Sequence, residues 1–221
     1  VENGAGGVIT GSSKYAIGIF ADNVTAPIIN QGTITLTGDQ SAGIYATGAS
    51  KKVIDNSGII TIGNSADPLN PGIGIYTTNT GDQITNGNLN AGNNSIGVYS
   101  IGGQVTQTGT LNVGDTGVGI YLKDGTLNIT NTAAINLGTK IAVGVYSENS
   151  NITNAANMDV GENNFGFVAL NGLFTNTATS GILGNDSVYL LKTGAGTVVN
   201  NSGTAISING SRSTAFYVLS G

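Results

Sequence analysis

The sequence of 221 residues contains no cysteine, no histidine and no tryptophan. Without cysteine there is no disulfide framework and no thiolate metal site. Without histidine, the commonest general base and metal ligand is missing. Only seven residues are basic and the net charge is −5, which argues against a nucleic-acid partner because phosphate binding needs clustered Lys and Arg. No apolar run approaches the roughly 18 residues of a transmembrane helix, and no signal peptide is present.

The residues that are abundant point to a core built from many short pieces. Charged residues make up 9% of the chain, against about 25% in typical soluble domains, and glycine is enriched at 36 residues. The hydrophobic fraction of 39% is too high for a disordered low-complexity chain.

A four-residue segment, apolar–Gly–apolar–aromatic, recurs along the whole chain at intervals of about 21–31 residues. Two degenerate copies, aligned at 186–189 and 214–217, extend the series. The regular copies are at residues 17–20, 42–45, 73–76, 96–99, 118–121, 143–146 and 165–168.

Two further segments alternate with the first. One reads apolar–x–Asn, with Gln107 in the Asn position of one copy, and the other reads apolar–x–apolar–Gly, as at residues 60–63. Alternating apolar positions predict strands, and the Gly, Asn, Asp and Ser residues between them predict turns. The Asn positions include Asn30, Asn56, Asn86, Asn131, Asn154, Asn176 and Asn201.

Three short strands in about two dozen residues cannot bury a core within one repeat unit. Stacked units can, because each strand pairs with its equivalent above and below. A β-propeller blade needs about 40–50 residues and four strands, which does not fit. The sequence therefore predicts an all-β fold, a right-handed parallel β-helix (solenoid) of about nine coils with three short strands each.

The twofold period of a strand predicts which side chains point inward. Around Gly144 we expect Val143, Val145 and Ser147 in the core, with Gly144 and Tyr146 on the outside. The aromatic positions would then form an exposed ladder, either a binding stripe or a structural stack that stabilises the sheet. The tyrosines of this predicted ladder are Tyr45, Tyr76, Tyr99, Tyr121, Tyr146 and Tyr189.

The Asn column and the longest insertion complete the candidate features. We interpret the Asn column as structural: Asn tolerates the left-handed conformation of a bend, and stacked amides can bond one another. The insertion, residues 64–72, is a loop on a rigid scaffold, where binding residues often lie, although a loop without function is the alternative. Its candidate binding residues are Asp67, Pro68, Leu69 and Pro71.

Catalysis is not expected. Glycoside hydrolysis needs two carboxylates about 5–9.5 Å apart, and the twelve acidic residues do not align in that way on successive coils. No Asp cluster or calcium-binding nonapeptide repeat appears. We predict no catalytic residues, no metal site and no cofactor.

The repeated Gly-Ile-Tyr or Gly-Val-Tyr strand, followed by Ile-Thr-Asn and Ile-x-Leu-Gly in a chain rich in Asn and Ile, resembles the passenger domains of type V autotransporters, most of all those of the large fusobacterial adhesins. The resemblance spans essentially the whole chain but carries no defined binding motif. It implies display on the surface of a Gram-negative bacterium, anchored through a C-terminal outer-membrane β-barrel of the same polypeptide, and a host-cell or bacterial surface protein or glycan as partner.

The favoured function is therefore adhesion to host cells or other bacteria by a surface-displayed passenger segment. A non-binding stalk that extends a distal tip is the first alternative, and a carbohydrate-active β-helix enzyme is the second. Neither end of the sequence shows a polar capping unit, so we expect residues 1–221 to be a single β-helix segment excised from a longer passenger.

Overall fold

The computed structural model describes residues 1–201 and 203–219. Their regular structure consists of 25 β-strands. In chain order the strands are β1 (Glu2–Asn3), β2 (Val8–Gly11), β3 (Ile17–Asp22), β4 (Ile28–Asn30), β5 (Thr33–Leu36), β6 (Ala42–Thr47), β7 (Val53–Ile62), β8 (Ile73–Thr77), β9 (Gln83–Ala91), β10 (Ile96–Ile101), β11 (Gln104–Gln107), β12 (Thr110–Val113) and β13 (Val118–Lys123). They continue as β14 (Thr126–Ile129), β15 (Ala134–Leu137), β16 (Val143–Glu148), β17 (Asn151–Asn154), β18 (Met158–Asp159), β19 (Phe165–Leu170), β20 (Phe174–Asn176), β21 (Ser180–Leu183), β22 (Val188–Thr193), β23 (Val198–Asn200), β24 (Ala205–Ile208) and β25 (Thr214–Leu219).

The strands stack into a parallel β-solenoid of about nine coils, which confirms the predicted fold class. One sheet contains nine strands in the order β25-β22-β19-β16-β13-β10-β8-β6-β3, one from each coil, and we call its outer surface the first face. The second face is built on the path from β1 to β23. The third face contains the short strands that follow it, and in two coils the second and third strands run together as β7 and β9. We number the coils 1 to 9, each ending with its first-face strand.

The core is a set of aliphatic columns along the solenoid axis. In the first-face strands Val98 pairs with Ile120 and Ile120 pairs with Val145, and all three side chains are fully buried. Burial of each such side chain contributes about 1.5–3 kcal/mol. Because neighbouring coils place the same residue type at the same point, the column is continuous.

The predicted inward and outward positions of the first-face strand are partly wrong. Val145 and Ser147 are buried, as expected, but Val143 is half-exposed. Gly144 faces inward: a Cβ there would lie 2.6 Å from the Gly166 carbonyl oxygen and 2.7 Å from Met158 Cε. The strand bends at this glycine, so two successive positions point into the core. Glycine is needed because neighbouring backbone and core side chains occupy the space of a side chain.

The asparagine column is a hydrogen-bonded ladder inside the solenoid, with buried side chains as far as Asn176 and an exposed Asn200 at its end. Each Nδ2 donates to the side-chain oxygen of the next coil: Asn3 to Asn30 at 2.8 Å, Asn30 to Asn56 at 2.7 Å, Asn56 to Asn86 at 2.8 Å, Asn86 to Gln107 at 2.7 Å, Asn154 to Asn176 at 3.0 Å and Asn176 to Asn200 at 2.9 Å. The expected left-handed backbone lies at other positions, such as Asn94 and Asn149. The ladder residues support the bend through their side chains.

Two members of the predicted column were assigned wrongly. Asn131 is exposed, and the fully buried Ile129 holds its place, paired with Gln107 below and Asn154 above. Asn200, not Asn201, pairs with Asn176. Near the C-terminal end, Val198-Val199-Asn200 is an equally good apolar–x–polar triplet one residue earlier, and the register selects it. In coil 6 the register instead places the apolar Ile129 in the column, so the motif there was misleading.

Three columns change between coil 6 (β14–β16) and coil 7 (β17–β19), a junction that we call the seam. Ile129 of coil 6 interrupts the amide ladder. On the third face β15 pairs with β12, whereas β18 belongs to a separate three-stranded sheet with β21 and β24. On the first face Tyr146 is followed by Val168. Beyond the seam a cluster of aromatic rings lies inside: Phe167 packs on Phe174 at 4.9 Å and on Tyr189 at 5.5 Å between centroids.

Candidate binding surface

The outward positions of the three faces differ in chemistry. On the second face they carry residues such as Thr85, Thr106 and Thr153, and on the third face Asn90 and Asn112. On the first face two outward rows are apolar in almost every coil, whereas a third outward row carries residues such as Asp22, Lys123 and Glu148. One row, which we call the aliphatic row, contains Ile17, Ala42, Ile73, Ile96, Val118, Val143, Phe165 and Val188. The other, which we call the aromatic row, contains Phe20, Tyr45, Tyr76, Tyr99, Tyr121, Tyr146, Val168, Leu191 and Tyr217.

These two rows make the first face an apolar strip along the rod. With strands about 4.8 Å apart, nine strands extend over about 40 Å. Most members are half-exposed, and Phe20 is 59% exposed. A contiguous exposed apolar surface of this kind typically marks an interaction site. The aliphatic row was predicted to lie in the core, so its contribution to this surface was missed.

The aromatic row is a stack from coil 1 to coil 6. Neighbouring rings are nearly parallel, with interplanar angles of 14°, 3°, 13°, 7° and 8° from Phe20 to Tyr146. Centroids are 4.4 Å apart at the closest pair, Tyr45 and Tyr76, and 6.1 Å at the widest, Phe20 and Tyr45. Because each ring face is covered by the next ring, the stack presents ring edges and hydroxyl groups to a partner.

Five of the six predicted ladder tyrosines belong to this row, and Tyr189 does not. Tyr189 is fully buried and takes the position of the motif glycine, while Leu191 takes the aromatic position by pairing with Val168. A Cβ on Gly181 of the third face would lie 2.7 Å from Tyr189 Cε2, so Gly181 leaves room for the ring. The Tyr189 hydroxyl bonds with Asn154 at 3.2 Å and Asn176 at 3.3 Å. The predicted alignment was two residues too early in this coil.

A pair of charged side chains lies beside the stack at its coil 5–6 end. Lys123 Nζ lies 3.2 Å from Glu148 Oε2, and the Tyr121 hydroxyl donates to Glu148 Oε1 at 3.4 Å. Burial, and then the negative charge of Glu148, raise the pKa of Tyr121 to about 12. Burial first also raises the pKa of Tyr45, Tyr99 and Tyr146. These hydroxyls therefore stay neutral at physiological pH.

We expect the solenoid to lose stability in alkaline solution. A tyrosine whose pKa is raised on folding stabilises the fold fully below its ordinary pKa of about 10, and this contribution is lost as the pH rises through the folded value. For Tyr121 that value is about 12. The urea midpoint should be constant from about pH 7 to pH 9 and should fall above about pH 10. Tyr121→Phe should reduce the fall, and an unchanged midpoint at pH 11.5 would contradict the assignment.

The predicted binding loop at residues 64–72 is a compact turn held by its own polar groups. Asp67 accepts hydrogen bonds from the Leu69 N–H at 2.9 Å and from Asn70 Nδ2 at 2.7 Å, and these bonds lower the pKa of its carboxyl. Asp39 of the preceding coil accepts from Ser65 Oγ at 2.9 Å. Leu69 is 87% exposed. The loop thus presents the exposed apolar side chains of Ala66, Pro68 and Leu69 on an ordered base, and its role in binding stays a prediction.

Within residues 1–201 and 203–219, no group of three or more acidic, His or Cys side chains is arranged to hold a metal ion. In the same residues, no helix has the length and hydrophobicity to cross a membrane. The fold and surface place the chain in the class of parallel β-solenoid proteins. Comparison with models of known protein families, with curated proteins and with solved structures found no match.

Proposed function

We propose that this chain is a rod-forming passenger segment of a bacterial surface adhesin, and that its apolar first face binds a protein on host cells or other bacteria. The observation that carries the proposal is the contrast between faces: the first face is apolar at two outward positions per coil, whereas the others carry mainly Thr and Asn. The core does not require an apolar outer row, so the contrast is explained by a surface that is buried against a partner.

The stacked geometry favours a protein over a sugar at this face. Sugars pack on the open faces of aromatic rings, and here neighbouring rings cover those faces. Ring edges, tyrosine hydroxyls and half-exposed aliphatic groups resemble the mixed apolar and hydrogen-bonding surfaces of protein interfaces. The long, straight strip would allow contacts over several coils.

A matched pair of charge substitutions in coil 5 tests the proposal. Val118→Lys places an ammonium group in the aliphatic row, and Thr106→Lys places the same group on the second face. We expect soluble 1–221 to bind target cells, with Val118→Lys and Tyr99→Ser weakening binding at least about tenfold, since a desolvated unpaired charge or a lost anchor costs more than about 1.4 kcal/mol. Thr106→Lys should bind like the natural chain. Equal binding by all variants would reject the first face as the binding surface.

The stalk function is a second candidate, because ring stacking and the amide ladder both stabilise a rod without any partner. The stalk function and the adhesive function predict different results for cell binding by soluble 1–221. A stalk segment binds no cells as soluble 1–221, even though a longer chain that contains it does.

A further inference from the structure

A shallow groove opens at the seam, on the side of the rod formed by the second and third faces. It consists of two depressions of about 540 and 270 Å³, and Asn157 lines both. This groove and the first face belong to different sheets.

The third face is not continuous beside this groove, unlike at the comparable depression of about 360 Å³ beside Gly32 and Gly58 in the first coils. The strands β12 and β15 pair along four residues, but the next strand, β18, is two residues long and pairs only toward β21. Irregular points of an otherwise regular sheet often mark functional positions.

The groove also marks the end of an exposed amide ladder. Asn112 Nδ2 donates to Asn90 Oδ1 at 2.6 Å, and Asn136 Nδ2 donates to Asn112 Oδ1 at 2.8 Å. The corresponding residue in the next coil is Asp159, whose carboxylate cannot donate. Asn136 therefore brings an acceptor to the groove that the ladder does not satisfy. Asp159 adds a second one through its carboxylate, whose Oδ1 also accepts from the Gly161 N–H at 2.9 Å.

Asn157 contributes donors at the centre of the groove. Its Oδ1 accepts from the Thr179 N–H at 3.1 Å, the Thr179 hydroxyl at 2.9 Å and the Ser180 N–H at 2.9 Å. These bonds fix the amide, so its NH₂ group is the part left for a ligand. The exposed Asn131 supplies a further amide group at the rim, whereas the Thr130 hydroxyl already donates to the Gln107 carbonyl at 3.2 Å and can only accept from a ligand.

We propose that the seam groove binds a neutral, hydroxyl-rich oligosaccharide. Its size lies within the range of small-ligand sites. Its described lining residues include a carboxylate and no Lys or Arg, which disfavours anionic ligands. A peptide would need a deep apolar pocket for an anchor side chain, and the groove offers only shallow apolar contact, as at the 39% exposed Ile182. Clustered amide and hydroxyl groups match the alternating donors and acceptors of a sugar.

Binding of soluble 1–221 to immobilised short linear glucans, galactans and chitin oligosaccharides tests this site, with sulfated glucans for comparison. We expect binding to at least one neutral series and weaker binding to the sulfated forms. Asp159→Ala and Asn157→Ala should each reduce binding roughly tenfold, the loss expected for a hydrogen bond to a charged group or a central amide. Asn131→Ala, at an exposed position, should weaken binding without affecting folding, as checked by circular dichroism.

Two controls separate this site from the proposed protein-binding face. Asn88→Ala changes the residue of coil 4 whose Oδ1 accepts from the Thr110 N–H at 3.0 Å, on the same face but outside the groove, and Tyr99→Ser lies on the first face; both should bind the neutral glycan like the natural chain. Binding to none of the neutral series, a preference for the sulfated glucans, or equal binding by the groove variants would overturn the proposal. Cell binding that survives Asn131→Ala but is lost in Tyr99→Ser would support the first face as the cell-binding surface, whether or not the groove binds a glycan.

Discussion

Replacement of Tyr189 by glycine is expected to lower the free energy of unfolding by about 3–5 kcal/mol, the range for removal of a large buried aromatic side chain. Tyr189 is fully buried and packs on Phe167 and Phe216. Its hydroxyl also bonds to Asn154 and Asn176 of the buried amide ladder. Chemical unfolding followed by circular dichroism measures the loss.

The double variant Tyr189→Gly/Gly181→Leu provides the matched control. Gly181→Leu alone should destabilise the protein by about 1–3 kcal/mol or more, because its Cβ would overlap the Tyr189 ring. Together the two changes recreate the arrangement of coil 5, in which Gly119 faces the side chains of Leu111 and Val113. We expect the double variant to be more stable than the sum of the single losses by at least about 1 kcal/mol. Additive losses would show that the tyrosine and the glycine do not compensate each other.

The fold was predictable because the same sequence pattern recurs many times along the chain. Each of the first six coils carries an apolar–Gly–apolar–aromatic strand, and stacking such units in register explains the parallel sheets. Five ladder tyrosines and five of the seven predicted column asparagines were placed correctly for the same reason: each residue contacts its own equivalent in the next coil. When equivalent residues of successive coils contact one another, their regular spacing in the sequence is enough to identify the column.

The wrong predictions concern residues whose positions depend on contacts with a different strand. The Tyr189 position depends on Gly181, which the spacing of the first-face motif does not reveal. One signal was present: moving this copy by two residues, as the strand pairing requires, changes the neighbouring spacings from 21 and 28 to the more even values of 23 and 26. The inward glycine was missed because strict alternation does not anticipate a bend inside the strand.

The sequence therefore predicted only one of the two rows that form the candidate surface. The aromatic row was predicted, but the aliphatic row beside it was assigned to the core by the same alternation argument. The seam groove gave no signal, since no repeated motif marks its lining residues. The repeat therefore predicts surface rows that every coil shares, but not a groove formed where neighbouring coils differ.

The amide ladder gives the second large effect: Asn56→Ala is expected to cost about 3–5 kcal/mol. Asn56 Nδ2 donates to Asn86 Oδ1 at 2.8 Å and to the Asn88 carbonyl at 3.2 Å, and its Oδ1 accepts from Asn30 at 2.7 Å. The side chains of Asn30, Asn56 and Asn86 are fully buried. Each partner left unsatisfied costs about 1–3 kcal/mol, and the cavity adds to this loss.

Asn131→Ala is the control for this prediction, because the exposed Asn131 was assigned to the same column by its sequence motif. It should change the free energy of unfolding by less than about 0.5 kcal/mol. The ladder tolerates Ile129 because its neighbours bond elsewhere: Gln107 Nε2 donates to the Gly87 and Gly109 carbonyls, each at 3.0 Å, and Asn154 Oδ1 accepts from the Ala156 N–H at 3.2 Å. Without Asn56, Asn86 Oδ1 has no other hydrogen bond among the described residues, and Asn30 Nδ2 keeps only a longer one, 3.5 Å, to the Ile59 carbonyl. Similar losses in the two Ala variants would mean that the column is stabilised by packing and not by its amide bonds.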